Sequence, residues 1–149
     1  AMGAAGKRVF LAVHAEITDR SGERQVFRTK AEGRYQEKAG KHYFRYEDDV
    51  VGERSRVVLK VDGKDVTLIR RGVRSNLFYT QHFSEGKVHD AMYETPHGRI
   101  PISVSTERTL IRLTNGAGSI ELAYTVAFSG ALETHNVLQI EVTDIDRSH

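Results

Sequence analysis

The stretch that decides the fold runs from Thr67 to Thr106 and reads TLIRRGVRSNLFYTQHFSEGKVHDAMYETPHGRIPISVST. Segments in which apolar and polar residues alternate are separated here by short breaks at Arg71-Gly72, Ser84-Glu85-Gly86 and Pro96-His97-Gly98. Because alternate residues of a β-strand point to opposite faces, this pattern is typical of half-buried strands joined by turns. The stretch therefore predicts consecutive strands of an antiparallel meander.

The same alternation continues on both sides of this stretch. It is clearest in residues 9–17, 25–35, 120–128 and 137–145. Asp62-Gly63 is the strongest short hairpin signal. The small residues Ala31 and Gly33 predict a bend or a bulge, because they lie on a strand face that otherwise needs bulky side chains. We therefore expect an all-β fold, a single antiparallel up-and-down β-barrel of about eight to ten strands.

Length and composition agree with one domain of this kind. The chain has 149 residues, of which 39% are hydrophobic and 28% charged, as in an ordinary globular protein. We predict the barrel domain over residues 7–149, and we interpret residues 1–6 as a tag remnant or disordered N-terminus. No segment reaches the roughly 18 apolar residues of a membrane helix, and the first residues lack a secretory signal pattern. A cytoplasmic location is therefore expected.

Charge and cysteine content exclude several function classes. The chain contains no cysteine, which excludes a thiol nucleophile, a zinc–thiolate site and a disulfide framework. Its formal net charge is +2, and residues of both signs interleave along the chain. Nucleic-acid modules concentrate basic residues more strongly than this, so the charge pattern does not favour nucleic acid as a partner.

Three short segments resemble a known family. They are Leu68-Ile69-Arg70-Arg71-Gly72, Phe83-Ser84-Glu85-Gly86-Lys87 and Tyr93-Glu94-Thr95-Pro96-His97-Gly98, and the last hairpin fits as well. In these segments the chain is similar to the uncharacterised YwiB-like bacterial family. The resemblance implies a lipocalin-like barrel of the calycin kind, and it implies no activity. The Gly-x-Trp signature of true lipocalins is missing, since the chain has no tryptophan.

Arg70 is the first candidate binding residue. It continues the inner face of Val66 and Leu68, so its side chain is expected to point into the mouth of the barrel. A buried arginine needs a partner. The partner is either an anionic ligand or an internal carboxylate such as Glu94.

Polar-tipped residues on otherwise apolar strand faces are the other candidates. Tyr79, Gln81, Tyr93 and Tyr124 have this character, as does Tyr46. Such groups orient a ligand in a cavity, but they also occur in ordinary cores where each hydroxyl finds a backbone partner.

Other polar clusters carry weaker signals. His82 and His89 flank one hairpin, but histidine spacing gives no metal-ligand pattern, and no metal or cofactor is predicted. The acidic run Glu47-Asp48-Asp49 is interpreted as a solvated loop. Tyr43 and Arg45 share one outward face and form a possible stacking platform for nucleic acid.

The sequence thus predicts a binding protein more readily than an enzyme. No catalytic constellation is recognisable, and catalytic residues are not assigned. We expect a small amphipathic or anionic ligand inside the barrel, held by Arg70, Tyr79, Gln81, Tyr93 and Tyr124. The alternative is an interaction module without a small ligand, which binds a protein or RNA on the outer face or rim of the barrel.

Overall fold

The structure, a computed structural model, describes residues 6–128 and 132–145. These residues form a closed barrel in which each strand is hydrogen-bonded to its neighbours in sequence, and β1 pairs with β10 to close the ring. The strands are β1 (Lys7–Asp19), β2 (Arg24–Lys38), β3 (Lys41–Asp48), β4 (Ser55–Asp62), β5 (Asp65–Gly72), β6 (Phe78–Phe83), β7 (Val88–Thr95), β8 (Gly98–Thr114), β9 (Ala117–Phe128) and β10 (Leu132–Asp144). The predicted all-β, antiparallel up-and-down barrel is confirmed, and it is consistent with a lipocalin-like barrel. Within the described ranges no helix is long and apolar enough to cross a membrane.

The turns follow the expected glycines, with one shift of register. Asp62 pairs with Asp65, so the hairpin turn consists of Gly63 and Lys64 and not of Asp62 and Gly63. Only Gly63 has a positive φ there, at 63°. The predicted turn at Gly130 and residues 1–5 of the predicted N-terminal remnant lie outside the described residues.

Of the two irregularities predicted at Ala31 and Gly33, a bend or a bulge, the bulge does not occur. The register between β1 and β2 runs unbroken through both residues. The irregularity lies instead in β8, between Thr106 and Arg108, where the strand continues through residue 114. Gly33 has a different role, because a side chain there would collide with the carbonyl oxygen of Arg45 as β3 passes close to β2.

The pairing between β2 and β3 covers only part of β2. It runs from Lys38 and Lys41 to Arg34 and Arg45 and stops there. Residues 24–33 of β2 therefore pair with β1 alone, and their other edge faces an outer groove that extends to the end of β3. The barrel is closed around its ring, but this segment leaves a strand edge without a described strand partner.

The inner faces of the strands fill one half of the barrel with apolar side chains. We call this part the packed half and define it by six side chains that are at most 1% exposed: Leu11, Phe44, Leu59, Phe83, Leu122 and Ile140. Such burial is the main favourable contribution to folding, at about 25 cal/mol per Å² of apolar surface. The packed half therefore provides a rigid base for whatever the other half contains.

Candidate functional site

The other half of the barrel contains a cavity of about 350 Å³ that is partly open to solvent. We call this part the cavity half and define it by the inner-face residues that line the cavity. It lies at the end where β1, β3, β5 and β9 finish and β6 and β10 begin. All five candidate residues line this one cavity: Arg70, Tyr79, Gln81, Tyr93 and Tyr124. The alternation of the strands thus brings together side chains that are up to 54 positions apart, from Arg70 to Tyr124.

Arg70 is paired inside the protein. Its Nη1 donates to Asp48 Oδ1 at 2.6 Å and to Ser55 Oγ at 2.6 Å. All three residues are buried, and Arg70 is only 6% exposed. Of the partners left open by the sequence, the structure selects an internal carboxylate. The carboxylate is not Glu94, which lies near Arg99 at 3.8 Å on the surface.

The interpretation of Asp48 as part of a solvated loop is wrong. Asp48 is the last residue of β3 and is buried, and it lines the cavity. Phe44 and Tyr46 share its face, so the period of two already placed Asp48 inside. Its neighbours Glu47 and Asp49 do lie outside, where both contact Arg54. The charge of the acidic run favours a solvated loop. The period of two favours a buried Asp48 instead, and a buried arginine can neutralise such an acid.

The guanidinium keeps one donor without a partner. Arg70 Nε is buried and has no hydrogen-bond partner among the described residues. A buried N–H group without an acceptor costs about 1–3 kcal/mol. Native proteins satisfy nearly all such groups, so this atom marks a place where a further acceptor would be stabilising.

The tyrosines form a connected aromatic group. The rings of Tyr79 and Tyr93 stack with centroids 4.1 Å apart, and Gln81 Nε2 donates to the Tyr93 hydroxyl at 2.9 Å. The Tyr124 ring packs on Phe83 of the packed half, with centroids 4.6 Å apart. Tyr124 therefore lies where the packed half meets the cavity, and its position is fixed by the core beneath it.

Burial keeps these phenols uncharged. It raises the pKa of Tyr46, Tyr79, Tyr93 and Tyr124 above the ordinary value of 10.0. Burial acts on the Arg70 pKa in the opposite direction, but Tyr79 and the hydrogen-bonded Asp48 carboxylate outweigh it, and the Arg70 pKa is raised. Each of these groups titrates far above neutral pH, so they serve as fixed hydrogen-bonding groups and not as proton-transfer groups.

Two further polar residues of the cavity wall, Thr134 and Asn136, are not among the binding residues predicted from the sequence. Asn136 Nδ2 donates to the Thr134 carbonyl at 3.0 Å, and both residues line the cavity. The alternation of Leu138 and Ile140 extends to Asn136, which indicates the inner face. It does not indicate that the asparagine is satisfied by the backbone of its own strand.

The histidines of the described ranges and the outward pair Tyr43 and Arg45 do not line the cavity. The rings of His82 and His89 are 5.6 Å apart, and Thr67 contacts His82 at 3.2 Å. In residues 6–128 and 132–145, no three acidic, histidine or cysteine side chains form a group that could hold a metal ion. Tyr43 and Arg45 share an outer face as predicted, with the guanidinium 5.6 Å from the ring centroid.

The fold and the cavity define a class: small all-β barrels with one packed and one partly hollow half. The chain belongs to the family described as domain of unknown function (DUF1934), whose model matches residues 12–140. Among solved structures it is similar to the crystal structure of the YwiB protein from Bacillus subtilis, with a TM-score of 0.72, 20% identity and 91% of each chain covered. The resemblance to a YwiB-like family is thereby confirmed. At this identity the structural likeness concerns the fold alone. A search of curated proteins gave no match.

Proposed function

We propose that this protein binds a small amphipathic molecule in the cavity half of the barrel. The observation that carries the proposal is the convergence of polar side chains on one internal space, with Arg70 and Gln81 buried and Tyr93 partly buried on its wall. Binding sites for small molecules are mostly apolar and contain a few placed polar groups that orient the ligand. The lining follows this pattern.

The volume limits the size of the molecule. Small-molecule pockets measure about 300–1,000 Å³, and this cavity of about 350 Å³ lies near the lower limit. With about 30 Å³ for a water-sized group, it holds roughly a dozen non-hydrogen atoms. A single short chain or a small ring system fits this space, whereas a large cofactor does not.

The chemistry of the lining favours binding over catalysis. Its charged residues are Asp48 and Arg70, which neutralise each other at 2.6 Å. The phenols around them titrate above neutral pH because they are buried. We therefore infer a binding protein, and the absence of cysteine is in keeping with a reducing compartment such as the cytoplasm.

The first test is native mass spectrometry of the protein purified gently from the cells that naturally make it, followed by denaturing extraction. We expect a bound small molecule of roughly a dozen non-hydrogen atoms. A matched pair of variants ties that mass to the cavity. Ala15→Phe fills the cavity and should lose the molecule, whereas Ala12→Phe, on the outer face of the same strand, should retain it.

The outcome is decisive in both directions. A molecule that stays bound to Ala15→Phe lies elsewhere, and the cavity proposal is then wrong. A protein without any bound molecule, which also fails to bind amphipathic probes at millimolar concentration, contradicts the proposal as well. The thermal unfolding of both variants is the control for folding.

A second candidate function is a protein-interaction module. The observation in its favour is the edge of β2 over residues 24–33, which pairs with β1 only and carries Arg28 and Lys30 outward. An exposed strand edge accepts an extended peptide by backbone hydrogen bonds. Since Arg28 and Lys30 are basic, the peptide is expected to be acidic. RNA is less favoured, because Arg45 already covers the ring of Tyr43.

This candidate has its own test. An octapeptide with alternating glutamate and valine is titrated into the labelled protein, and amide shifts are followed by NMR. Strand addition predicts shifts confined to residues 24–33 and the facing end of β3, and none with the lysine–valine peptide. Shifts spread over the barrel contradict strand addition, and equal responses to both peptides contradict the preference for an acidic peptide.

A further inference from the structure

The charges within the cavity allow the class of ligand to be narrowed, and this step rests on the proposed function. We propose that the cavity selects an uncharged amphipathic molecule that carries a hydrogen-bond acceptor oxygen, such as an ester or ketone, and discriminates against a carboxylate of the same size. The expectation of an anionic ligand at Arg70 is thereby replaced.

One N–H donor of the Arg70 guanidinium has no hydrogen-bond acceptor among the described residues. The side chain is 94% buried, since only 6% is exposed, and it lines the cavity. Nη1 is occupied by Asp48 and Ser55, whereas Nε has no partner among the described residues. A hydrogen bond from a charged donor to a neutral oxygen stabilises a complex, and it also removes the cost of the orphaned N–H.

The same pair disfavours an anion. Asp48 and Arg70 are the charged residues of the lining, and their charges cancel across 2.6 Å. A bound carboxylate would leave one net negative charge in a buried space, close to the Asp48 carboxylate. Burying an unpaired charge costs far more than burying a neutral oxygen. The phenols supply hydrogen bonds but no positive charge, because burial raises their pKa values.

The remaining wall fits the apolar part of such a molecule. On β1, β9 and β10, which lie across the ring of strands from β5 and Arg70, the lining includes the apolar side chains Val13, Ala15, Val126, Phe128 and Leu138. These side chains offer no hydrogen bonds, so they place the hydrocarbon part of the ligand away from Arg70. The site therefore recognises one polar end and one apolar body.

The test compares two isomeric probes, methyl nonanoate and decanoic acid, of roughly a dozen non-hydrogen atoms each. At neutral pH the ester is uncharged and the acid is ionised. Isothermal titration calorimetry with the wild-type protein should show the ester binding at least about tenfold more tightly. Arg70→Met combined with Asp48→Leu removes the donor and both charges, and it should weaken ester binding by about tenfold.

One variant should reverse the preference. Asp48→Asn removes the internal counter-charge, so Arg70 is left unneutralised and decanoate should become the tighter ligand. Asp62→Asn is the matched control, since Asp62 is an exposed carboxylate at the opposite end of β4. It should keep the wild-type order. If Asp48→Asn does not fold, the wild-type order and the double variant still decide.

The failure of this inference differs from the failure of the proposed function. If neither probe binds, this inference is overturned, and the proposed function falls with it only if native mass spectrometry also finds no bound molecule. If decanoate binds the wild-type protein as tightly as the ester or more tightly, the uncharged class is wrong and the cavity remains a binding site. An unchanged ester affinity in the double variant overturns the role of Arg70.

Discussion

The packed half and the cavity half are built from the same ten strands but bury different side chains. In the packed half, strands β1, β3, β4 and β6 place Leu11, Phe44, Leu59 and Phe83 inside, and each is fully buried. In the cavity half, the same strands and their neighbours place Asp48, Arg70 and several tyrosines inside, around about 350 Å³ of space. One end of the barrel therefore contributes stability, and the other uses it to hold polar groups in place.

A single alternating pattern carries two roles in these strands. On the inner face of β3, Phe44 belongs to the packed half and Asp48 lines the cavity. The strand therefore passes from one half to the other within five residues. The turn before β3 and the packing of Phe44 fix the position of the strand, and Asp48 follows at its end. The polar groups of the cavity are thus positioned by rigid strands, which is the arrangement that favours selective binding.

The largest expected effect is the loss of a leucine from the packed half. Leu59→Ala should lower the free energy of unfolding by about 3–5 kcal/mol, because the fully buried side chain leaves a void among close-packed neighbours. Leu138→Ala, the same change at the cavity wall, should cost about 1–2 kcal/mol less, since one side of Leu138 already faces empty space. Urea unfolding curves measure both values.

The same pair of leucine variants can also contradict the difference between the two halves. If Leu138→Ala costs as much as Leu59→Ala, the cavity wall is packed as tightly as the core, and the two halves do not differ in the stated way. The urea m-values of the two variants should agree with wild type, because a changed m-value would indicate a change in the unfolded state.

The next effect concerns the buried ion pair. Arg70→Met should cost about 3 kcal/mol, because it leaves the Asp48 carboxylate buried without its partner. Adding Asp48→Leu to the same protein should recover most of this loss, since an apolar pair of similar volume replaces the ion pair. A double-mutant cycle on the free energies of unfolding measures the coupling.

Recovery is the informative result. If the double variant is as unstable as Arg70→Met alone, the loss comes from packing and not from the unpaired charge. Arg54→Met is the matched control on the surface, where Arg54 contacts Glu47 at 3.1 Å. It should cost less than about 1 kcal/mol, as exposed ion pairs usually do.

The sequence predicts the scaffold better than the site. Alternation alone identifies the strands and places Arg70 and Tyr124 on the inner face, because a period of two is a local property. The partner of Arg70 is a long-range property, since Asp48 is 22 positions away and meets it only when β3, β4 and β5 pair. The β2–β3 pairing likewise ends beside the close approach of Gly33 to the Arg45 carbonyl, and the small residues Ala31 and Gly33 indicate an irregularity there but not that the pairing stops.

The tyrosines of the cavity half should make the fold sensitive to alkaline pH. Burial raises the pKa of Tyr124 above the ordinary value of 10.0, so the unfolded chain loses this proton at lower pH than the folded protein. Stability from this group is present below pH 10 and declines as the pH rises further. Above that pH, the free energy of unfolding of Tyr124→Phe should therefore fall less steeply than that of the wild type, by up to about 1.4 kcal/mol per pH unit.

The measurement is a set of urea unfolding curves at several pH values between neutral and strongly alkaline. The variant and the wild type are compared by slope, so a constant difference from the missing hydroxyl does not affect the result. An identical slope in both proteins contradicts the burial of an uncharged Tyr124. Tyr46→Phe should act in the same direction, because burial also raises the Tyr46 pKa.

The smallest effect separates the two halves by adding one methylene group to each. Val126 lines the cavity, so Val126→Ile has room for the extra group and should raise the free energy of unfolding by about 0.5–0.8 kcal/mol. Val66 is fully buried in β5 outside the lining, so Val66→Ile should cost about 1 kcal/mol through overpacking. The two substitutions are chemically identical, and the opposite signs expected for them in urea unfolding follow from the free space alone.

Equal signs would show that the free space at Val126 is not available to a larger side chain, and therefore not to a ligand at that wall. Reduced binding of methyl nonanoate to Val126→Ile, with binding retained in Val66→Ile, would place the ligand against Val126.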